Sequence, residues 1–297
     1  MKSIMNKLTL FLGAWVLLTS CLGTTENPLT ENEAEIQNYI KNNSQSYQKS
    51  PEGMYYSINS AGSLKGPEIG SLIKFYYTIS DLKGNVFYDL KETTGKFNSQ
   101  VYGGVANSIF TLPLSYMKEG DNASFILPSN LAFGGSSIGS IEPYSVIKID
   151  MKVIEISTSA EQLEQMKIDF GFDDNLLKKT STGLIYQTIN PSNGTDVKTF
   201  NQVAIKYIGK LGYKFYQDDG NGGTLYDSTF DSSDSVMFAL NSGQLIAGFE
   251  EAIKLMKVKE KAKFIIPYNQ GYGTQGSAPT IPGYAHLFFE VEVLTGN

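Results

Sequence analysis

The chain has 297 residues, 41% hydrophobic and 12% aromatic, which is enough apolar material for two small cores. Its 24 basic residues are all lysines, set against 30 acids, for a net charge of −6. A mildly acidic chain without arginine lacks both the clustered positive charge and the guanidinium forks that grip and read nucleic acid, so nucleic acid is not an expected partner.

The first 20 residues have the form of a targeting segment. Lys2 and Lys7 precede an apolar run, Leu8 to Leu18, that is too short to span a bilayer. The run ends in Leu18-Thr-Ser-Cys21, which resembles the lipobox of bacterial lipoproteins. That resemblance implies cleavage before Cys21 and lipidation of its thiol. Cys21 is the only cysteine, so an intramolecular disulfide is impossible and lipidation gives the lone thiol a use. The alternative is an uncleaved signal anchor. Removing residues 1–20 takes away two lysines and Trp15, the only tryptophan, and moves the net charge from −6 to −8. The expected location is the cell envelope. Leu22 is not the aspartate that often marks inner-membrane retention, so an outer-membrane anchor facing the periplasm is expected.

Residues 21–50 then read as lipidated cysteine, tether and helix. Thr30-Glu-Asn-Glu33 is a capping-box pattern, and Ile36, Tyr39 and Ile40 continue at helical spacing to about Asn42. Ser159-Ala-Glu-Gln162 repeats the start signal before Leu163 and Met166, within a helical linker over 158–181. Each helix precedes a similar strand, Gly53-Met-Tyr-Tyr-Ser-Ile58 and Gly183-Leu-Ile-Tyr-Gln-Thr-Ile189, and Tyr77 and Tyr207 follow these glycines at the same separation. Met117 and Met256, Pro128 and Pro267, and Phe133 and Tyr272 then recur in the same order. Duplication accounts for this, giving domains over 51–157 and 182–297.

In the second copy, Val203, Ile205 and Tyr207 alternate with polar neighbours, as do Leu287, Phe289, Val291 and Val293 against His286, Glu290 and Glu292. Period-two alternation marks strands with one buried face, and puts His286 on the outer one. Phe249, Ala252, Ile253 and Met256 share one face of a short helix within Leu245-Ile-Ala-Gly-Phe-Glu-Glu-Ala-Ile-Lys-Leu-Met256. The fold class is α+β: two tandem domains, each a curved antiparallel sheet wrapped around a short helix. Asp218-Asp-Gly-Asn-Gly-Gly223 reads as a hairpin tip rather than a calcium loop, because it lacks spaced ligands and a bidentate glutamate.

Most catalytic chemistries lack their residues. Gly135-Ser-Ser137-Ile-Gly139 matches a nucleophile elbow, but its domain contains no histidine. There is no phosphate loop, paired-cysteine metal site or dinucleotide fingerprint, so no metal or cofactor is expected. Rotation about an X-Pro bond needs no nucleophile. Its barrier of about 18–20 kcal/mol falls when the planar amide enters a dry apolar pocket that binds the twisted form better.

The order Tyr207, Tyr226-Asp227, Leu245-Ile246, Phe249, Tyr272, Ile281 and Phe289 resembles the substrate pocket of the FKBP-type peptidyl-prolyl isomerases. Such a resemblance implies a folding enzyme for exported, proline-containing polypeptides, with a macrolide as a competing ligand. It assigns Tyr207, Tyr226, Asp227, Ile246, Phe249, Tyr272 and Phe289 to catalysis, and Leu245, Phe238 and Ile281 to substrate binding. The Ile246 amide and the Tyr272 hydroxyl would donate to substrate carbonyls. Phe249 stands where the family often has tryptophan and Tyr226 where it usually has phenylalanine; a non-catalytic chaperone or peptide-binding module is the alternative. Phe238, Phe249 and Phe289 would be core residues in many folds, whereas Tyr272, between Gly271 and Gly273, needs a partner to be buried.

The first domain keeps Tyr77 and has either Tyr88-Asp89 or Phe87-Tyr88 at the next site. Asn107 falls where an aliphatic wall is expected, Ile109 where glycine is, Phe133 replaces the hydroxyl donor and Ile149 the back aromatic. Weak or no activity is expected there.

Overall fold

A computed structural model describes residues 27–105, 108–217 and 224–297, with side chains described except at Thr94 and over 215–233. The proposed signal segment, Cys21, Asn107 and the tip at 218–223 lie outside the described residues.

The first unit opens with α1 (Pro28–Asn42), followed by β1 (Gln48–Lys49), β2 (Tyr55–Asn59), β3 (Leu72–Ser80), β4 (Val86–Leu90) and β5 (Asn98–Val101). A short helix α2 (Thr111–Ser115) then precedes β6 (Asn122–Leu127) and β7 (Ile147–Ser157). The second unit runs through α3 (Ser159–Asp169), β8 (Lys178–Lys179), β9 (Ile185–Asn190), β10 (Gln202–Gln217) and β11 (Thr224–Ala239), then α4 (Ala247–Lys254), β12 (Lys261–Ile266) and β13 (Leu287–Gly296). The sheet orders are β1-β2-β6-β7-β3-β4, with β5 also on β3, and β8-β9-β12-β13-β10-β11. They are one topology written twice, with the long β11 doing the work of both β4 and β5.

Both helix starts lie earlier than the sequence pattern suggested. The α1 cap is Asn27, whose side chain accepts from the Leu29 N–H, with Pro28 in the first turn where its missing N–H costs nothing. The capping box of α3 is Thr158 with Glu161.

Each sheet buries its concave face on the short helix that crosses it. Ile73, Phe75, Phe125, Ile147 and Ile149 pack around Leu114 and Met117 in the first unit; Val203, Ile205, Phe264, Leu287 and Val291 pack around Phe249, Ala252 and Ile253 in the second. The convex faces are covered too. α1 lays Ile36 on Tyr55, Ile126 and Val146, and α3 lays Met166 on Ile185, Ile265 and Phe288.

This covering corrects the surface reading of His286, which is 2% exposed just ahead of β13. Its Nδ1 accepts from the Tyr268 N–H at 3.1 Å, so Nε2 carries the proton and faces Ser159 Oγ at 3.0 Å. A histidine already donating to that serine cannot act as its base. Burial pushes its pKa down to about 4. Beside it, Phe170 stacks on Phe288 at 3.9 Å, and Lys263 Nζ donates to the Phe170 carbonyl at 3.0 Å near the end of α3.

Candidate active site

The concave face of the second sheet brings four aromatic rings to the start of α4. Tyr207 on β10 and Phe289 on β13 come from paired strands, where Gly209 is the partner of Phe289, so they are diagonal neighbours on one face. Phe238 enters from β11 opposite Val203, and Phe249 descends from α4. Ring centroids lie 4.6 Å apart for Phe249–Phe289, 5.7 Å for Tyr207–Phe249, 6.1 Å for Tyr207–Phe289 and 6.2 Å for Phe238–Phe249. Phe249 and Phe289 are each 5% exposed, while Tyr207 and Phe238 are half-buried. The result is a tilted, non-stacked cup with its floor sealed and its walls reaching solvent.

α4 can close this cup because residue 248 is glycine. A Cβ there would lie 2.4 Å from Ile266 Cγ2 and 3.0 Å from the Gln270 carbonyl oxygen, so the helix starts against β12 only without a side chain. Half-buried Leu245 and Ile246 form the rim, with Ile246 as the helix N-cap. Its carbonyl accepts from Phe249 and Glu250, and its own N–H donates to nothing among the described residues.

Tyr272 is 37% exposed on the loop after β12. That loop is pinned by the Gly273 N–H to the Tyr268 carbonyl and the Tyr284 N–H to the Gly273 carbonyl, both at 2.8 Å. Partial burial, then the nearby Tyr207, raises the Tyr272 pKa, so the phenol stays a hydrogen-bond donor. Ile281, 7% exposed, joins the same apolar cluster and is fixed by paired backbone bonds with Ser277 at 2.7 and 2.9 Å.

Leu245, Ile246, Phe249, Tyr207, Phe238, Ile281 and Phe289 therefore share one apolar cluster; Tyr272 is not part of it and is linked to the cup electrostatically, through Tyr207. The side chains of Tyr226 and Asp227 lie outside the described ones. Their backbones pair with Phe215 and Lys214, whereas the partner of Tyr207 is Ser232, six residues further along β11. Phe230 and Asp231 follow Ser232 down the pair, opposite Gly209 and Ile208.

The same place in the first unit is built differently. Tyr77 and Phe110 meet at 4.8 Å, matching Tyr207 and Phe249, and a third ring, Phe75, lies 5.1 Å from Phe110. Ile149 is fully buried at the back, and half-buried Phe133 brings no hydroxyl. With Ile109 at the glycine position, α2 begins only at Thr111. Sequence reasoning missed one residue altogether. The partner of Ile73 is Gln100, as the partner of Val203 is Phe238. Gln100 is 5% exposed, donates to Thr111 Oγ1 at 3.2 Å and accepts from Ser108 Oγ at 2.8 Å, so a satisfied amide replaces an aromatic wall.

The second unit is thus a sheet curved over a short helix, with an aromatic cup, an undonated Ile246 N–H at its rim and no ionised nucleophile among the described side chains of the cup. The profile of the FKBP-type peptidyl-prolyl cis-trans isomerases matches residues 194–294. FK506-binding protein 1A of Aspergillus fumigatus is 34% identical over 116 residues, covering 39% of this chain and 96% of that protein. A probable FKBP-type peptidyl-prolyl cis-trans isomerase of Haemophilus influenzae is 31% identical over 162 residues, covering 54% of this chain and 62% of that protein. Peptidyl-prolyl cis-trans isomerase FKBP15-2 of Arabidopsis thaliana is 41% identical over 95 residues, 32% of this chain and 53% of that one. The chain thus spans less than two thirds of the length of the Haemophilus and Arabidopsis relatives. It belongs to the FKBP-type peptidyl-prolyl cis-trans isomerase family.

Proposed function

We propose that the second unit is a prolyl isomerase acting on exported polypeptides, and that the first unit keeps the fold with little or no turnover. The observation that carries this is the four-ring cup of Tyr207, Phe238, Phe249 and Phe289, with the Ile246 N–H at its rim and a half-exposed Tyr272 coupled electrostatically to Tyr207. A prolyl ring seated on Phe249 leaves its preceding amide in a water-poor space, where the charge-separated planar form loses solvation. The Ile246 N–H holds a substrate carbonyl while the bond turns, and the tilted rings accept the twisted shape. Each ~1.4 kcal/mol by which that shape is preferred is worth tenfold in rate.

The test is isomerisation of a proline tetrapeptide by the full chain. A rate well above background that falls with Phe249→Leu supports the reading; no rate above background refutes it. By analogy with FK506-binding protein 1A, FK506 should compete for the cup.

A holding role is the second reading, favoured in the first unit by a Tyr77–Phe110 pair that survives without the tyrosine hydroxyl, Phe133 standing in its place. For location, we propose a lipid anchor on Cys21 in the outer membrane, facing the periplasm. Among the described residues no helix is long and apolar enough to cross a membrane. Metabolic labelling with palmitate that is lost in Cys21→Ser would support the anchor, and labelling that persists would refute it.

A further inference from the structure

The loop that carries Ile281 has a second side, turned toward the first unit. There the Gly283 N–H donates to the Gly104 carbonyl at 3.0 Å, and a Cβ on Gly104 would sit 2.2 Å from the Gly283 oxygen. The two backbones meet this closely only because residue 104 is glycine. Beside the contact is a cavity of about 430 Å3, lined from the first unit by Ser99 and Val105 and from the second by Leu211, Tyr213, Pro279 and Ile281. None of its lining residues is charged. Its size falls within the roughly 300–1,000 Å3 of ordinary ligand sites.

One of its lining residues carries a polar atom without a partner among the described residues. Ser99 is 8% exposed, and its Oγ has no hydrogen-bond partner among the described residues. A buried hydroxyl left unpaired costs free energy, which a ligand carrying a carbonyl or amide would return. Ile281 belongs both to this cavity and to the cup's apolar cluster, so the two sites share a wall.

We propose that this inter-unit cavity is an extended binding site for the polypeptide substrate. It takes an apolar side chain from the segment flanking the proline, with a backbone group of that segment on Ser99 Oγ. The inference rests on the isomerase reading for its substrate, and it gives the first unit a part in selecting clients without a working cup of its own.

The experiment uses the full chain and peptides of glycine and serine around one proline, with a single leucine moved through the flanks. At one flanking position leucine should lower KM about tenfold relative to serine, the worth of ~1.4 kcal/mol of side-chain burial. Ser99→Ala and Val105→Lys should each erase that advantage while leaving turnover of a proline tetrapeptide unchanged. The proposal is overturned if no position favours leucine, or if the advantage survives both substitutions. If the tetrapeptide is not turned over at all, the isomerase reading fails on its own. Fluorescence anisotropy of the same peptides then decides the cavity: a leucine preference lost in both variants supports it, and one retained overturns it. A concentration-dependent dimer abolished by Val105→Lys would assign the cavity to a second copy of the chain and overturn the proposal.

Discussion

The two cups share a topology and differ in what closes them. In the second, Gly248 lets α4 begin against Ile266, Phe249 reaches Phe289 at 4.6 Å, and Phe238 completes the wall. In the first, Ile109 stands in place of that glycine, α2 begins at Thr111, and Gln100 and Ile149 occupy the places of Phe238 and Phe289. The first unit in turn has a ring, Phe75, where the second has Ile205. A fold can therefore keep its core while the residues lining its cup change, because a core tolerates exchanges of similar volume.

Exchanging the walls should break the difference most strongly. Phe238→Gln with Phe289→Ile, which gives the second cup the first cup's residues, should lower kcat/KM for a proline tetrapeptide by about 100-fold, each wall being worth ~1–2 kcal/mol. Circular dichroism should show the fold retained.

The convex faces differ as well, with buried His286 in the second unit where the first has buried Val146. An ordinary histidine titrates near 6.5, and this one is held down to about 4 by burial. The unfolded chain therefore takes up a proton before the folded one does. Stability is complete above about pH 6.5 and falls as the pH drops from there toward about 4, by on the order of 3 kcal/mol. Thermal unfolding across that window should show the loss, and His286→Val should flatten it.

Gly248→Ile, importing the first unit's residue, drives a side chain into Ile266 and Gln270. It should cost about 2 kcal/mol in urea denaturation and reduce turnover together with stability. The smallest effect is expected at the rim. Tyr272→Phe removes one donor and should slow isomerisation roughly three- to tenfold, whereas Phe133→Tyr should add no activity, because the cup beneath it lacks two rings.

Much of this was legible in the chain. Alternation in Val203–Tyr207 and Leu287–Val293 gave the paired strands, helical spacing gave α4, and the duplicated landmarks gave the second sheet. Convergence of Tyr207, Phe249 and Phe289 follows from those elements, because period two and period 3.6 put all three on the concave side. What was illegible was tertiary. His286 lies outward by alternation, and only α3 docking over it makes it buried. Gln100 was hidden because the second unit has a longer β10–β11 hairpin, so chain order cannot equate Gln100 with Phe238; strand register does. The inter-unit cavity joins residues from Ser99 to Pro282, and no local pattern announces it.

The most direct test places one substitution at the matched floor position of each cup. Exchange NMR on a proline tetrapeptide would compare the full chain with its Phe249→Leu and Phe110→Leu variants. Phe249→Leu should abolish most of the exchange and Phe110→Leu should leave it intact. Equal losses in both, or a loss confined to Phe110→Leu, would contradict the assignment of turnover to the second cup.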